Sequence, residues 1–276
     1  MSSGIENIRG EYLNLEKFGI SVYIEYYGSA NDKNPLVFIH TAGADGRQWH
    51  DILLKMPQNR RYILIDLPGH GKTYPVNWKP IYTLNDYVDI FDEIIMALRI
   101  NDFYLVGAAV GSRIAISYGV TKGLKKINGI ALFSPAHYLV GDWYGSAGSF
   151  QRDLPDSLSI ACWFLELSSK KALPPNLSKV SWFPLQNAYE VGISDEISGT
   201  LDVRDGLKAV EYPVLLIRGK DDPLIQREHL EDMQQYIKNC RISEVQNAGL
   251  FLHVENPNEC SKLLIEFTGI TGNSSR

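Results

Sequence analysis

The most informative stretch of this sequence is YLVGAAVGSRIAI (residues 104–116). It begins as a short continuous apolar run, which is typical of a strand buried on both faces, and it continues with helical spacing. Gly107 and Gly111 lie on either side of the change, where strand and helix backbones must pass close together. The stretch therefore predicts a strand, a turn between Gly107 and Gly111, and a helix.

Four further apolar runs share the pattern of a buried strand, and helical patterns lie between them. The runs are LVFIH (36–40), YILIDL (62–67), GIALFS (129–134) and VLLIRG (214–219). The helical patterns cover residues 83–99, with Thr83 as N-cap, and residues 110–122, 224–238 and 256–268. Residues 11–28 read as two strands joined by a tight turn. The alternation predicts an α/β fold of the doubly wound type, with a mostly parallel central sheet and helices on both faces.

Residues 136–208 break this alternation, because they are rich in Trp, Phe, Ser and Pro and contain no clean apolar strand. We predict a helical cap inserted into one core, which is formed by residues 1–135 and 209–276. In open α/β sheets ligands bind at the carboxyl ends of the strands, and an aromatic cap there suits an apolar pocket. Its tryptophans and phenylalanines are equally compatible with a core inside the cap itself.

Composition narrows the range of partners. The chain has 276 residues and a formal net charge of −5, which gives no electrostatic reason to expect nucleic acid or an anionic membrane. Its three cysteines are too few and too scattered for a disulfide framework, and no stretch of 18 apolar residues is present. The histidines show no close metal-ligand spacing. We expect a cytoplasmic protein without metal or cofactor that takes a small, uncharged ligand.

Three stretches in order resemble the α/β-hydrolase family. FIHTAGADGRQW (38–49) is similar to the family's strand and oxyanion loop, with Thr41 in place of the usual Gly, and IDLPGHGKT (65–73) is similar to the turn after the next core strand. Residues 104–116 take the position of the nucleophile elbow, whose serine is replaced by Ala109. The resemblance implies a sheet of about eight strands and an oxyanion hole made by the backbone N–H groups of Ala42 and Val110.

Two later stretches resemble the remaining triad positions of the same family. LIRGKDDPLI (216–225) is similar to the end of the strand that carries the triad acid, which implies Asp222. NAGLFLHVENPNEC (247–260) is similar to the family's ending, and counting five residues back from Glu255 places Leu250 where the triad histidine is expected. His253, three residues further, corresponds to a second histidine that is normally structural. The resemblance therefore implies a degenerate triad.

A serine is a poor nucleophile until an adjacent imidazole takes its proton, so a chain without both groups should hydrolyse almost nothing through an acyl-enzyme. Ser112 is a poor substitute because it follows the apex by about one helical turn. The polar groups expected around the pocket are Thr41, Asp45, Arg47, Ser134, His137, Asp222 and His253. We single out Asp222 and His137 as candidate catalytic residues, since a histidine at a strand end faces the pocket and titrates near neutral pH.

These features favour an enzyme of atypical mechanism, which performs a lyase, cyclase or isomerase type of step on a small apolar carbonyl compound held in the oxyanion pocket. Two alternatives remain open at the level of sequence. One is a non-catalytic ligand-binding or regulatory protein, because fold alone does not determine function. The other is a carboxylic ester or C–C bond hydrolase from which the nucleophile was removed by substitution at position 109.

Overall fold

The computed structural model describes residues 8–41, 44–75, 84–135 and 203–269 of the chain. In these residues one mixed sheet has the order β1-β2-β4-β3-β6-β7-β8-β9, and the short β5 pairs with β2. The strands are β1 Arg9–Leu15, β2 Ile20–Gly28, β3 Leu36–Ile39, β4 Arg61–Ile65, β5 Tyr74–Pro75, β6 Phe103–Ala108, β7 Ile127–Phe133, β8 Val214–Gly219 and β9 Cys240–Val245. The sheet is parallel over the neighbouring strands β4, β3, β6, β7, β8 and β9. Strand β2 is antiparallel to β1, β4 and β5.

Helices cover both faces of this sheet. They are α1 His50–Leu53, α2 Leu84–Ala97, α3 Val110–Thr121, α4 Arg204–Leu207, α5 Arg227–Gln234, α6 Leu252–Glu255 and α7 Pro257–Thr268, and a 3₁₀ turn, Gly46–Trp49, precedes α1. Side chains alternate along each central strand, so β3 buries Val37 and Ile39 with α2 and α3 on one face. Leu36 and Phe38 are buried with α1, α6 and α7 on the other. This is the doubly wound α/β fold that the sequence predicted.

The buried strands were predicted within two residues at each end, and VLLIRG (214–219) coincides with β8. The strand β9 was not predicted from the sequence, because it is an edge strand with mostly exposed or partly buried side chains. The predicted helix at 224–238 is shorter, since α5 spans Arg227–Gln234. The short α6 precedes the predicted last helix, in which Asn256 caps α7 by accepting a hydrogen bond from Glu259 N.

Most of the predicted cap, and the predicted N-cap Thr83, lie outside the described residues. The described end of that segment is α4, whose Leu207 is fully buried in the same apolar cluster as residues of α3. This end of the segment therefore packs on the core. Within the described residues, no helix combines the length and the apolar character needed to cross a membrane.

Candidate functional site

The turn between β6 and α3 has the strained geometry that its glycines predict. Ala109 adopts φ 47° and ψ −108°, in a region where a residue with a side chain is rare, and its N–H donates to the carbonyl of Phe133 at 2.9 Å. A Cβ on Gly111 would lie 2.4 Å from the carbonyl oxygen of Ile39, so helix and neighbouring strand touch through backbone. Such strain concentrates at functional sites.

The apex of this turn is partly exposed, although the residues on either side of it are buried. Ala109 and Val110 are half-buried, whereas Ala108 and Gly111 are buried. Within the described residues no acceptor takes the N–H of Val110, the first residue of α3. The turn thus presents a methyl group and a backbone N–H at the positive end of a helix, which is an arrangement suited to an oxygen with partial negative charge.

Parallel strands bring their carboxyl ends to one edge of the sheet, and three predicted site residues lie there. Thr41 follows β3, Ser134 follows β7 and Asp222 follows β8. Ser134 adopts φ 45°, and its N–H donates to the carbonyl of Ile217 at 2.7 Å, which ties the ends of β7 and β8 together. All three residues are buried.

Asp222 is fully engaged by hydrogen bonds. Its Oδ1 accepts from the backbone N–H groups of Leu224 and Ile225 at 2.9 and 3.0 Å, and its Oδ2 accepts from the hydroxyl of Ser134 at 2.8 Å. Burial nevertheless raises the pKa of Asp222 above its ordinary value, against the opposing effect of these three donors and of Arg218. The partner of the candidate acid is thus a hydroxyl where a triad would place an imidazole.

Leu250 contacts the pair of Ser134 and Asp222 through its backbone carbonyl. Its carbonyl oxygen lies 3.2 Å from the Ser134 hydroxyl, and the residue is 8% exposed and belongs to a buried apolar cluster. The structure therefore brings residues 134, 222 and 250 to one place. The aliphatic side chain at 250 offers no proton acceptor.

His253 lies in a different environment, in the apolar layer on the α1 face. Its ring is tilted over Trp49 with 4.7 Å between centroids and faces the edge of Phe133 at 6.0 Å. It is 1% exposed, and neither ring nitrogen has a hydrogen-bond partner in the part of the chain that the structure describes. Burial lowers its pKa to about 3, so the ring is neutral and packed. This placement fits the structural role that the resemblance implied, and it does not make His253 part of a polar pocket.

Arg47 and Ser112 are both held by local contacts. The guanidinium of Arg47 forms an ion pair with Asp45, with Nε 2.8 Å from Oδ1, and Asp45 caps the 3₁₀ turn through Arg47 N. The Ser112 hydroxyl donates to the carbonyl of Gly107 at 2.8 Å, and Ser112 is buried. Ser112 therefore faces the strand backbone, away from the open apex. Two candidates, Ala42 and His137, lie outside the described residues.

The groups that fasten the loop carrying Thr41 were not predicted from the sequence. Asp66 accepts hydrogen bonds from Gly46 N at 2.8 Å and from Lys72 N at 2.9 Å. His40 Nδ1 donates to the Thr41 carbonyl at 2.7 Å, while its Nε2 accepts from Leu67 N at 2.9 Å. The available signal was the position of both residues at the end of a predicted buried strand.

A metal centre is not formed by the side chains that the structure describes. Within residues 8–41, 44–75, 84–135 and 203–269, no three His, Cys, Asp or Glu side chains come together as a metal-binding group. What the described site offers is a backbone donor at the helix start, a strained apex without a nucleophile, and an engaged carboxylate.

Comparison with known proteins agrees with this fold. A family model described as "Alpha/beta hydrolase family" matches residues 36–263. The human monoacylglycerol lipase ABHD6 is 20% identical over 90% of this chain and 79% of its own length, and the pimeloyl-[acyl-carrier protein] methyl ester esterase of Legionella pneumophila (strain Corby) is 23% identical over 80% and 87%. The crystal structure of carboxylesterase CesB from Bacillus subtilis superposes with a TM-score of 0.79 at 16% identity, covering 95% of this chain and 92% of that one. The chain belongs to the alpha/beta hydrolase family.

Proposed function

We propose that this protein binds a small apolar ester or ketone at the turn between β6 and α3, and that it forms no acyl-enzyme. The observation that carries the proposal is the half-buried apex at Ala109 and Val110, where a methyl group lies beside a backbone N–H that has no acceptor among the described residues. A carbonyl oxygen would accept from that N–H, while the methyl at 109 leaves room where a side-chain nucleophile would otherwise contact the carbonyl carbon.

Two features argue against acyl transfer by this protein. Residue 109 has no hydroxyl, and the hydroxyl of Ser112 is directed to the Gly107 carbonyl. Asp222 is engaged by Ser134, and residue 250 supplies no imidazole for it to orient. Because triad members act as a unit, the loss of two leaves only binding and oxyanion stabilisation, roughly 10³ to 10⁴-fold over water in well-studied hydrolases.

A second candidate is ester hydrolysis without a serine, in which water attacks the bound carbonyl directly. The names of the two curated relatives cited above favour this alternative, since they are those of a lipase and an esterase. They give no support to the lyase, cyclase or isomerase step that the sequence favoured. On sequence grounds we retain residues 136–208 as the proposed cover of the pocket and His137 as the proposed acid or base.

Butyrophenone, an aryl ketone without a leaving group, tests binding separately from hydrolysis. It should raise the melting temperature of the protein as its concentration increases, because it binds the folded state alone. Ala109→Trp should abolish this shift by filling the apex, whereas Ala97→Trp, at an exposed position of α2, should preserve it. A shift that survives Ala109→Trp would place the ligand elsewhere.

The ester 4-nitrophenyl butyrate separates the two candidates. If the protein only binds this ester, butyrophenone should compete with the ester for the site. Release of nitrophenol should then be no faster than with the Ala109→Trp variant. Steady release above that variant, without a burst in the first turnover, would favour direct attack by water. A stoichiometric burst would mean that an acyl-enzyme forms and would contradict the proposal.

A further inference from the structure

A groove lies at the amino ends of the parallel strands, at the edge of the sheet opposite the elbow. Strands β1, β2 and β4 form its floor, because Arg9 pairs with Tyr26 and Gly28 pairs with Arg61, and this register brings Arg9, Tyr26 and Arg61 to one face. The helix α2 covers this face only as far as Ala97, which forms part of the wall. The groove has a volume of about 790 Å³, which is within the range of small-molecule sites.

A second, more polar pocket of about 450 Å³ adjoins this groove. The groove and the polar pocket share Ala30, Asn31 and Arg61 in their linings. Apolar side chains of the groove include Ile8, Leu13 and Leu98, whereas the polar pocket is closed by the charged residues Lys33, Arg99 and Asp102. The pair therefore suits a molecule with one apolar end and one charged end.

Three positive side chains line these pockets without an ion pair among the described residues. They are Lys33, Arg61 and Arg99. The guanidinium carbon of Arg61 lies 5.3 Å from the centre of the Tyr26 ring, and this contact holds the group on the floor of the groove. No described residue accepts a hydrogen bond from this guanidinium. Its planar set of N–H donors matches the oxygens of a carboxylate or a phosphate.

Most of the neighbouring carboxylates are already engaged. Asp32 forms an ion pair with Arg60, with Oδ2 2.7 Å from Nε, and Glu11 forms an ion pair with Arg9. Asp102 remains, and the carboxyl end of α2 adds about half a negative charge. The three cations without an ion pair outweigh these contributions, so the groove and the polar pocket together favour an anion.

Arg99 occupies a position at the end of α2 where glycine is usual. Its N–H donates to the Met96 carbonyl at 3.0 Å, the N–H of Ile100 donates to the Ile95 carbonyl at 3.1 Å, and Arg99 adopts φ 54°. A residue with this left-handed conformation after a helix is commonly glycine, because a Cβ is strained there. A strained residue that carries a long side chain points to a use for that side chain, and this one lines the polar pocket.

We propose that the groove binds a small amphiphilic anion, whose carboxylate or phosphate head is held by Arg61 and Arg99 in the polar pocket and whose apolar tail lies beside Ala97. This site is separate from the carbonyl pocket at Ala109, because the two lie at opposite edges of the sheet. It does not depend on the proposed function.

Hexanoate, hexyl phosphate and hexanamide test the site, since they share a tail and differ in the head. At about pH 7.5, where both acids are ionised, an anion that binds should shift the backbone amide signals of Ala30, Asn31 and Arg99 in ¹⁵N-labelled protein. Hexanamide should shift these signals at least tenfold more weakly, because it offers no charge to the guanidinium groups. Binding of either anion supports the site and identifies its head group. No shift with either anion, or equal affinity for hexanamide, would overturn the inference.

Variants test the two arginines with whichever anion binds. Arg61→Gln should raise its dissociation constant roughly tenfold. Arg99→Gly should weaken binding by a similar factor while the protein stays at least as stable in urea, because glycine suits φ 54°. Arg241→Gln, at an exposed arginine of the edge strand β9, is the control and should leave the affinity unchanged. An equal loss in Arg241→Gln would indicate non-specific attraction and overturn the inference, as would unchanged affinity in Arg61→Gln. If Arg99→Gly lowers stability without changing affinity, Arg99 serves only the helix end and its role in the polar pocket is overturned.

Two tryptophan variants separate this site from the carbonyl pocket. Ala97→Trp should fill the groove and weaken the anion at least tenfold, while the melting shift with butyrophenone persists. Ala109→Trp should have the reverse effect. If butyrophenone binds neither protein but the anion responds as expected, the proposed function fails and the groove is supported. An anion that is lost in Ala109→Trp and retained in Ala97→Trp would lie at the elbow, which would overturn the inference.

Discussion

The hydroxyl of Ser134 donates a hydrogen bond to Oδ2 of Asp222 at 2.8 Å, across a sequence separation of 88 residues. The contact exists because β7 and β8 are parallel neighbours and both residues follow the ends of their strands. It gives the candidate acid a partner that is neutral at every accessible pH. We therefore expect Asp222 to behave as a buried structural carboxylate as long as residue 250 remains a leucine.

Substitution of Asp222 by Asn should be tolerated. The raised pKa of Asp222 means that the ionised carboxylate is less favourable in the folded protein than in the unfolded chain. An amide avoids this cost, because it carries no charge. Its oxygen can accept from Leu224 N and Ile225 N, and its NH₂ group can donate to Ser134. Urea unfolding at neutral pH should show Asp222→Asn to be no less stable than the wild-type protein.

Asp222→Ala is the matched comparison. It leaves the N–H groups of Leu224 and Ile225 without their acceptor, while the Ser134 hydroxyl keeps only the Leu250 carbonyl, and it should reduce the free energy of unfolding by about 2 kcal/mol. If Asp222→Asn loses as much stability as Asp222→Ala, the charge of the carboxylate itself is required by the fold, and Asp222 is not the structural carboxylate that we infer.

The close contact at the elbow predicts a large cost for a single methyl group. In Gly111→Ala the new Cβ would meet the carbonyl oxygens of Ile39 and His40 at 2.4 and 2.5 Å, and neither backbone group can rotate away. We expect a loss of about 3 kcal/mol or more in the free energy of unfolding, with weaker butyrophenone binding in whatever fraction folds. Gly269→Ala tests positive φ alone, since it has φ 63° and open space around its Cβ, and it should cost only about 1 kcal/mol. Equal losses would argue against the close packing of α3 on β3.

The sequence predicted the strands that are buried on both faces, because such strands are continuous apolar runs. The runs 36–40 and 214–219 correspond to β3 and β8 for that reason. It did not predict β9, Cys240–Val245, since an edge strand keeps much of its surface exposed and its residues CRISEV lack both a continuous apolar run and strict alternation. Helix ends were also less well predicted: α5 is only Arg227–Gln234, in which just two residues are buried.

For the site, the sequence supplied candidate positions but not their hydrogen bonds. Asp222 and Leu250 were placed by spacing from neighbouring motifs, and the structure brings both to Ser134. The hydrogen bond from Ser134 depends on its φ of 45° and on the pairing of β7 with β8, which no local pattern encodes. The role of Asp66 was missed for the same reason, because its two donors come from different loops.

His253 should make the protein sensitive to acid. Its pKa is about 3 in the folded protein and near 6.5 in the unfolded chain, so below about pH 6.5 only the unfolded chain takes up this proton. Stability is therefore fully present above that pH and falls as the pH drops toward 3, by at most about 1.4 kcal/mol per pH unit. His40 and His70 contribute with the same sign, whereas the raised pKa of Asp66 acts in the opposite direction.

His253→Leu should stabilise the protein, because it removes two buried nitrogens that have no partner among the described residues and keeps an apolar contact with Trp49. Urea unfolding between about pH 7 and about pH 4 should show a higher free energy at neutral pH and a slope that is smaller by about one proton. A destabilised variant with the wild-type slope would mean that His253 forms an essential polar contact and is not a passive core residue.

Restoring the missing groups tests whether this scaffold is a hydrolase that lacks only its reactive side chains. Ala109→Ser supplies a hydroxyl at the strained apex, and Leu250→His supplies an imidazole next to Ser134 and Asp222. Each change alone should leave the hydrolysis of 4-nitrophenyl acetate near the level of the wild-type protein. The double variant should exceed the sum of both, because nucleophile, base and acid act as a unit.

The contact between Ser134 and Asp222 adds a third position to this test. The hydroxyl of Ser134 occupies the Oδ2 atom that would orient the new imidazole, so Ser134→Ala in the double-variant background should increase the rate further. The same change in the wild-type background should leave hydrolysis unchanged. Leu250→Phe combined with Ala109→Ser controls for ring size without a proton acceptor and should be inactive.

A misplacement of about 1 Å can reduce the rate roughly 100-fold, so even modest activity supports the geometry. A folded double variant that binds butyrophenone, but is no faster than either single variant with or without Ser134→Ala, would mean that positions 109, 222 and 250 no longer converge on one substrate.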